Sequence, residues 1–179
     1  MMPLHALGER IMILGPSNSG KSTLALALSD KLRLPVQHLD RFQHLPNTDW
    51  EPRPEAEFKA LHDQAILKHR WIMDGNYSRL MANRFERATG VILLTSNHWL
   101  RLLRYFKRTL IEPTERAGQL EGGRERLKWS MIDWIILKTP KNAKRYAAMV
   151  EASQLPSVHC RTLKELKSLY QTWELPLPR

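Results

Sequence analysis

Apolar residues recur along this chain in two alternating rhythms. Short unbroken runs predict buried strands: residues 10–14, with Ile11-Met12-Ile13-Leu14, ahead of Gly15-Pro16, residues 35–39 ending at Asp40, Trp71-Ile72-Met73 stopped by Asp74-Gly75-Asn76, residues 90–95, and residues 156–161. Stripes at helical spacing lie between them. Leu24, Ala27, Leu28 and Leu32 mark a helix over 21–32, and Phe58, Leu61, Ala65 and Ile66 mark one over 54–69. Shorter or later helices are predicted over 78–87, 97–111, 124–138 and 140–152. Thr162 with Glu165 matches a capping box and opens a last helix, with Leu163, Leu166, Tyr170 and Trp173 on its inner face. Residues 43–54 and 112–123 are polar, with proline or glycine, and read as loops.

Five strands separated by helices predict a three-layer α/β domain around a parallel sheet. Ligands on such sheets sit at the carboxyl ends of the strands. Residues 15–22, Asp40, Asp74 and the positions after Leu94 and Cys160 are therefore the places to look for chemistry.

At 179 residues, one domain over 1–179 is expected, with a core that needs no disulfides. The single cysteine, Cys160, excludes an intramolecular disulfide framework and a cysteine-based zinc site. No apolar run is long enough to span a bilayer and no secretory signal is visible, so a cytoplasmic protein is expected. The charge is less ordinary. Lys and Arg number 28 against 18 Asp and Glu, a formal net charge of +10. Such a surface attracts nucleotides, phosphorylated metabolites, nucleic acid or an anionic membrane, and its sign does not choose among them.

The strongest chemical signal is Gly15-Pro16-Ser17-Asn18-Ser19-Gly20-Lys21-Ser22-Thr23, which fits G-x-x-x-x-G-K-[ST] at every fixed position. Glycines let the backbone wrap phosphate oxygens, and the following helix N-terminus favours an anion. Lys21 is expected to reach the β- and γ-phosphates, and the Ser22 hydroxyl to ligate Mg²⁺. No Asn-Lys-x-Asp run is present, so ATP is the expected nucleotide rather than GTP. No strand ends in adjacent Asp-Glu, so transfer to an acceptor is expected over efficient hydrolysis. Asp40 and Asp74, each placed at a strand end, are candidates for orienting Mg²⁺-bound water or for taking a proton from an acceptor hydroxyl.

Three segments together, the phosphate loop, Leu39-Asp40-Arg41, and Trp71-Ile72-Met73-Asp74-Gly75-Asn76-Tyr77-Ser78-Arg79, resemble the adenylate-kinase-related proteins called DNA topology modulation proteins. The resemblance implies a P-loop NTPase fold of the nucleoside-monophosphate-kinase kind, with strand order 2-3-1-4-5 and an arginine-bearing helical lid, here residues 108–128. It also implies an acceptor side built by residues 41–69, with Asp40, Arg41, Asn76 and Arg79 as substrate-binding candidates. Asp74-Gly75 further resembles the Asp-Gly-x-Pro-Arg segment of adenylate kinases, but the proline is missing and Arg79 lies one residue later.

On the helix predicted over 97–111, Arg101, Arg104 and Arg108 share the face opposite the apolar stripe. Arg104 and Arg108, followed by Arg116 and Arg124, are the expected phosphate-facing lid arginines. Phe42, Trp50 and Arg53 lie where an aromatic ring either stacks on an acceptor base or anchors a loop. Trp129, Ile132 and Ile136, with Met131, Trp134 and Ile135, cover most of one helix and suggest either an ordinary core helix or a homodimer face. Two functions follow. One is a small kinase that moves the γ-phosphoryl of Mg-ATP to a nucleotide or other small acceptor. The other is a nucleic-acid-associated ATP-binding protein, which the net charge permits although no reader motif is present.

Overall fold

The computed structural model describes residues 2–95 and 139–176, with the side chains of 139–141 left out. Its centre is a five-stranded sheet, all parallel, in the order β2-β3-β1-β4-β5. The strands are β1 (Arg10–Leu14), β2 (Val36–His38), β3 (Trp71–Asp74), β4 (Gly90–Leu94) and β5 (Ser157–Cys160). The described helices are α1 (Lys21–Leu32), α2 (Leu39–Gln43), α3 (Glu55–Ile66), α4 (Met81–Arg87), α5 (Thr139–Ala152) and α6 (Leu163–Thr172). Short 3-10 turns at Leu4–Leu7 and Ser78–Leu80 complete these segments.

The apolar runs of β1 and β4 have no polar face because both sides of the sheet are covered. Ile11 and Ile13 face Leu24, Leu28, Leu169 and Trp173, from α1 and from the α6 end of the chain. Met12 and Leu14 face the opposite way, against Ala65, Ile66, Met81, Tyr146 and Val150 from α3, α4 and α5. These are two cores on two faces of one sheet, the three-layer arrangement expected from the alternation of strands and helices.

Two boundaries differ from expectation in ways that matter for function. The second strand stops at His38, and the chain turns into α2 at Leu39. Leu39 drops fully buried into the second core, against Gly75, where a β-carbon would lie 2.9 Å from the Leu39 β-carbon. Asp40 is therefore in the first turn of a short helix rather than at a strand end. The third strand, by contrast, runs one residue further than its apolar pattern and includes Asp74. At the last helix the Thr162 hydroxyl accepts from Glu165 N–H, while the Glu165 carboxylate accepts from Arg161 N–H rather than from Thr162. Among the described residues no helix is long and apolar enough to cross a membrane.

Candidate active site

The carboxyl ends of β1, β2 and β3 converge. In the parallel register Asp74 lies beside Ile13 on one side and beside His38 on the other. Residues 15–20 then loop from β1 into α1. Gly15 has φ 147° and Gly20 has φ 93°, both in the region that favours glycine. At Gly15 there is also no room, because a β-carbon would lie 2.4 Å from the carbonyl oxygen of Leu94. The N-cap of the twelve-residue α1 is Gly20, which has no side chain, and among the described residues no side-chain cap is made there, an end that suits an anion.

The loop is pinned from outside. Gly15 N–H donates to Asn76 Oδ1 at 3.1 Å, and Asn76 Nδ2 donates back to the Gly15 carbonyl at 2.9 Å. Lys21 Nζ donates to the Pro16 carbonyl at 2.9 Å. Ser19 Oγ is buried and has no hydrogen-bond partner among the described residues. A buried hydroxyl in a loop of this shape suits an anionic oxygen as its missing partner.

Asp74 is 5 % exposed and fully engaged. Its Oδ2 accepts from Ser22 Oγ at 2.6 Å, and its Oδ1 lies 2.7 Å from His38 Nδ1. Burial pushes its pKa up, but the His38 and Ser22 hydrogen bonds and the nearby Lys21 charge outweigh burial and hold it below the usual carboxylate range. The carboxylate is ionised, so the proton shared with His38 resides on Nδ1. Ser22 and Asp74 form a small set of hard oxygen donors of the kind Mg²⁺ takes alongside phosphate oxygens. Among the described residues no three His, Cys, Asp or Glu side chains converge as a self-sufficient metal cage.

A cavity of about 780 Å³ opens beside this cluster, lined among others by Lys21, Asp40, Phe58, Tyr77, Arg145 and Tyr146. Asp40 is exposed to it and accepts a 2.5 Å hydrogen bond from the Tyr77 hydroxyl. Burial first, and then the Asp40 carboxylate, push the Tyr77 phenol far above its ordinary pKa, so it stays a donor. Arg79 also lines the cavity, where its exposed guanidinium pairs with Glu55 at 2.7 Å.

Beneath the cavity wall lies Arg84, with no exposed surface. Its guanidinium donates to the carbonyls of Gly75 at 2.7 Å, Asn76, and Tyr77 at 3.2 Å. One buried cation thus fixes the backbone that carries both Asn76 and Tyr77. Burial lowers its pKa to about 10, which leaves it charged at neutral pH.

The structure brings together Lys21, Ser22, Asp74 and Asn76 at the phosphate loop, and places Asp40 and Arg79 on the cavity. Ser17 lines the cavity too, and Thr23 is exposed on the first turn of α1. Arg41 is exposed on α2. Arg104, Arg108, Arg116 and Arg124, the segment 108–128, and the aromatic helix from Trp129 to Ile136 lie outside the described residues. Phe42 and Arg53 serve as loop anchors: Phe42 packs on the second core and Arg53 donates to its carbonyl at 3.0 Å. Trp50 stacks edge-on with His44, ring centroids 5.2 Å apart. Residue patterns singled out neither His38 nor Arg84. A lone histidine in a three-residue strand and one of two arginines in a short charged helix carry no spacing signal.

This sheet order, with a phosphate loop after the central strand, is that of the P-loop kinase fold. Solved structures agree. A shikimate kinase from Acinetobacter baumannii in complex with shikimate matches with TM-score 0.56 at 12 % identity, over 95 % of this chain and 96 % of that one. A kinase candidate from Chloroflexus aurantiacus matches with TM-score 0.54 at 17 % identity, over 92 % and 95 %. A shikimate kinase from Bacteroides thetaiotaomicron matches with TM-score 0.51 at 18 % identity, over 93 % and 99 %. At such identities the likeness is one of fold. No protein-family model matches the chain, and no curated protein does. The resemblance to DNA topology modulation proteins rests on the sequence segments alone.

Proposed function

We propose that this protein is a small kinase that transfers the γ-phosphoryl group of Mg-ATP to a hydroxyl-bearing nucleotide or other small acceptor in the 780 Å³ cavity. The observation that carries this reading is the unequal state of the two aspartates. Asp74 has both oxygens engaged, by Ser22 and His38, at the phosphate loop. Asp40 faces the cavity, and among the described residues one of its oxygens is committed, to Tyr77. The first suits holding a cation and the second suits acceptor chemistry.

In this reading the backbone of 15–20 and Lys21 bind the donor phosphates. Ser22 and Asp74 would hold Mg²⁺, which when bound neutralises charge on the phosphoryl oxygens. Asp40 orients the acceptor hydroxyl and takes its proton as the new oxygen–phosphorus bond forms and ADP leaves. Arg79, on the cavity and paired with Glu55, is a further candidate for an anionic group of the acceptor. The arginines Arg104, Arg108 and Arg116 are proposed to complete the charge clamp from the lid.

The test is ADP formation from Mg-ATP across nucleoside monophosphates, small hydroxyl metabolites and short oligonucleotides, with Lys21→Ala as control. One acceptor that raises ADP production only with the unaltered chain supports the kinase and names its substrate class. A flat panel with intact ATP binding, together with salt-sensitive oligonucleotide binding, turns the reading to a nucleic-acid-associated ATP-binding protein, which the net charge of +10 permits.

A further inference from the structure

We infer that His38 is a positioning residue for magnesium: through its Nδ1–H it locks the Asp74 carboxylate in the orientation that presents Oδ2, with Ser22 Oγ, to a nucleotide-bound cation. The inference rests on the proposed nucleotide site and adds to it a residue that no motif marks.

Three observations carry it. First, the contact is built by the sheet. His38 and Asp74 are register partners at the ends of two adjacent parallel strands, and the ring meets the carboxylate at 2.7 Å. Second, both side chains are buried, at 8 % and 6 % side-chain exposure, so water competes little for the bond. Third, the bond divides the labour of the carboxylate. Oδ1 faces the histidine and Oδ2 faces Ser22, the serine of the phosphate loop. A carboxylate held by one oxygen cannot rotate freely, and the other oxygen is left aimed at the loop. Groups that hydrogen-bond to a metal-binding carboxylate in this way typically govern metal affinity by about 10–100-fold. A neutral Nδ1–H tautomer and an imidazolium supply the same donor, so the role does not depend on a change in the ring's charge.

The readout is nucleotide binding rather than turnover. Affinity for a fluorescent ATP analogue is titrated with magnesium and with EDTA, and the ratio gives the tightening due to the cation. The unaltered chain is expected to bind more tightly with magnesium. His38→Leu is expected to lose about tenfold or more of that tightening, with affinity in EDTA nearly unchanged. His38→Asn, whose amide N–H falls where Nδ1–H was, is expected to restore most of it. His38→Gln, whose donor falls at the far side of the ring, is not. Thermal melts of each variant report folding, and if the leucine variant does not fold the Asn and Gln pair decides. Equal loss in magnesium and in EDTA would show a merely structural histidine and overturn the inference. So would full magnesium tightening in the leucine or glutamine variant. Binding in both conditions without magnesium tightening in the unaltered chain would overturn the role of His38, and no binding in either condition would overturn the nucleotide-site reading itself.

Discussion

Asn76 and Gly15 exchange two hydrogen bonds, amide to backbone in both directions, at 3.1 and 2.9 Å. The first residue of the phosphate loop is thereby tied to the turn that follows β3. Asn76→Asp keeps the acceptor and loses the donor, and sets a carboxylate against the Gly15 carbonyl. Nucleotide affinity is expected to fall at least tenfold, at a stability cost of about 1–3 kcal/mol. Equilibrium binding beside a urea titration checks both.

Gly15 is constrained from its other side by Leu94. Gly15→Ala places a methyl group 2.4 Å from a backbone oxygen, at a φ of 147° that L side chains rarely adopt. The nearest obstacle is the Leu94 main chain, which cannot swing aside as the end of a flexible side chain would. The variant is expected to lose about 2 kcal/mol of stability or more and to bind nucleotide poorly. Unchanged melting and unchanged binding would show that the loop relaxes freely.

Arg84→Met tests the buried cation. The methionine fills much of the volume but leaves the Gly75, Asn76 and Tyr77 carbonyls without their donor. The expected loss is about 3 kcal/mol or more, seen as a lower urea midpoint. Arg84→Lys is expected to rescue little, because one ammonium cannot reproduce the planar fork.

His62 gives the clearest pH dependence. It is fully buried in α3, and its Nε2 has no partner among the described residues. Burial lowers its pKa below the ordinary 6.5, against the opposing effect of the hydrogen bond its ring makes to the Asp63 carboxylate. The unfolded chain therefore takes up the proton first. Stability is full above about pH 6.5 and falls below it, until the folded pKa is reached. His62→Leu is expected to be about 1 kcal/mol more stable at pH 5.5 and to lose part of that advantage at pH 8. Chemical denaturation at the two pH values measures the difference.

Residue patterns reach far into this fold but not evenly. The apolar run of β1 and the stripe of α1 mark their elements to the residue, because burial on one or both faces leaves a plain periodicity. The phosphate loop is equally legible, since its shape needs glycine at fixed positions. The end of β2 is not. Val36, Gln37, His38 and Leu39 are all compatible with a strand, yet the chain turns after His38 and Leu39 packs on Gly75. Asp40 thereby leaves the sheet, and Asp74 acquires His38 as its neighbour. Arg84 is hidden for a related reason. Its partners are main-chain carbonyls, and carbonyls leave no trace in the order of side chains.

The sheet order has a kinetic consequence. β1 is flanked by β3 and β4, so the loop that follows it is shaped by Asn76, 61 residues onward, and by Leu94, further still. Neither contact exists until a long crossover has closed, and such distant closures are slow. The phosphate loop is therefore expected to take its shape only once β3 and β4 have joined β1. A nucleotide arriving early finds nothing to hold, so it is expected to slow unfolding while leaving the refolding rate almost unchanged, which stopped-flow measurements with and without Mg-ATP resolve.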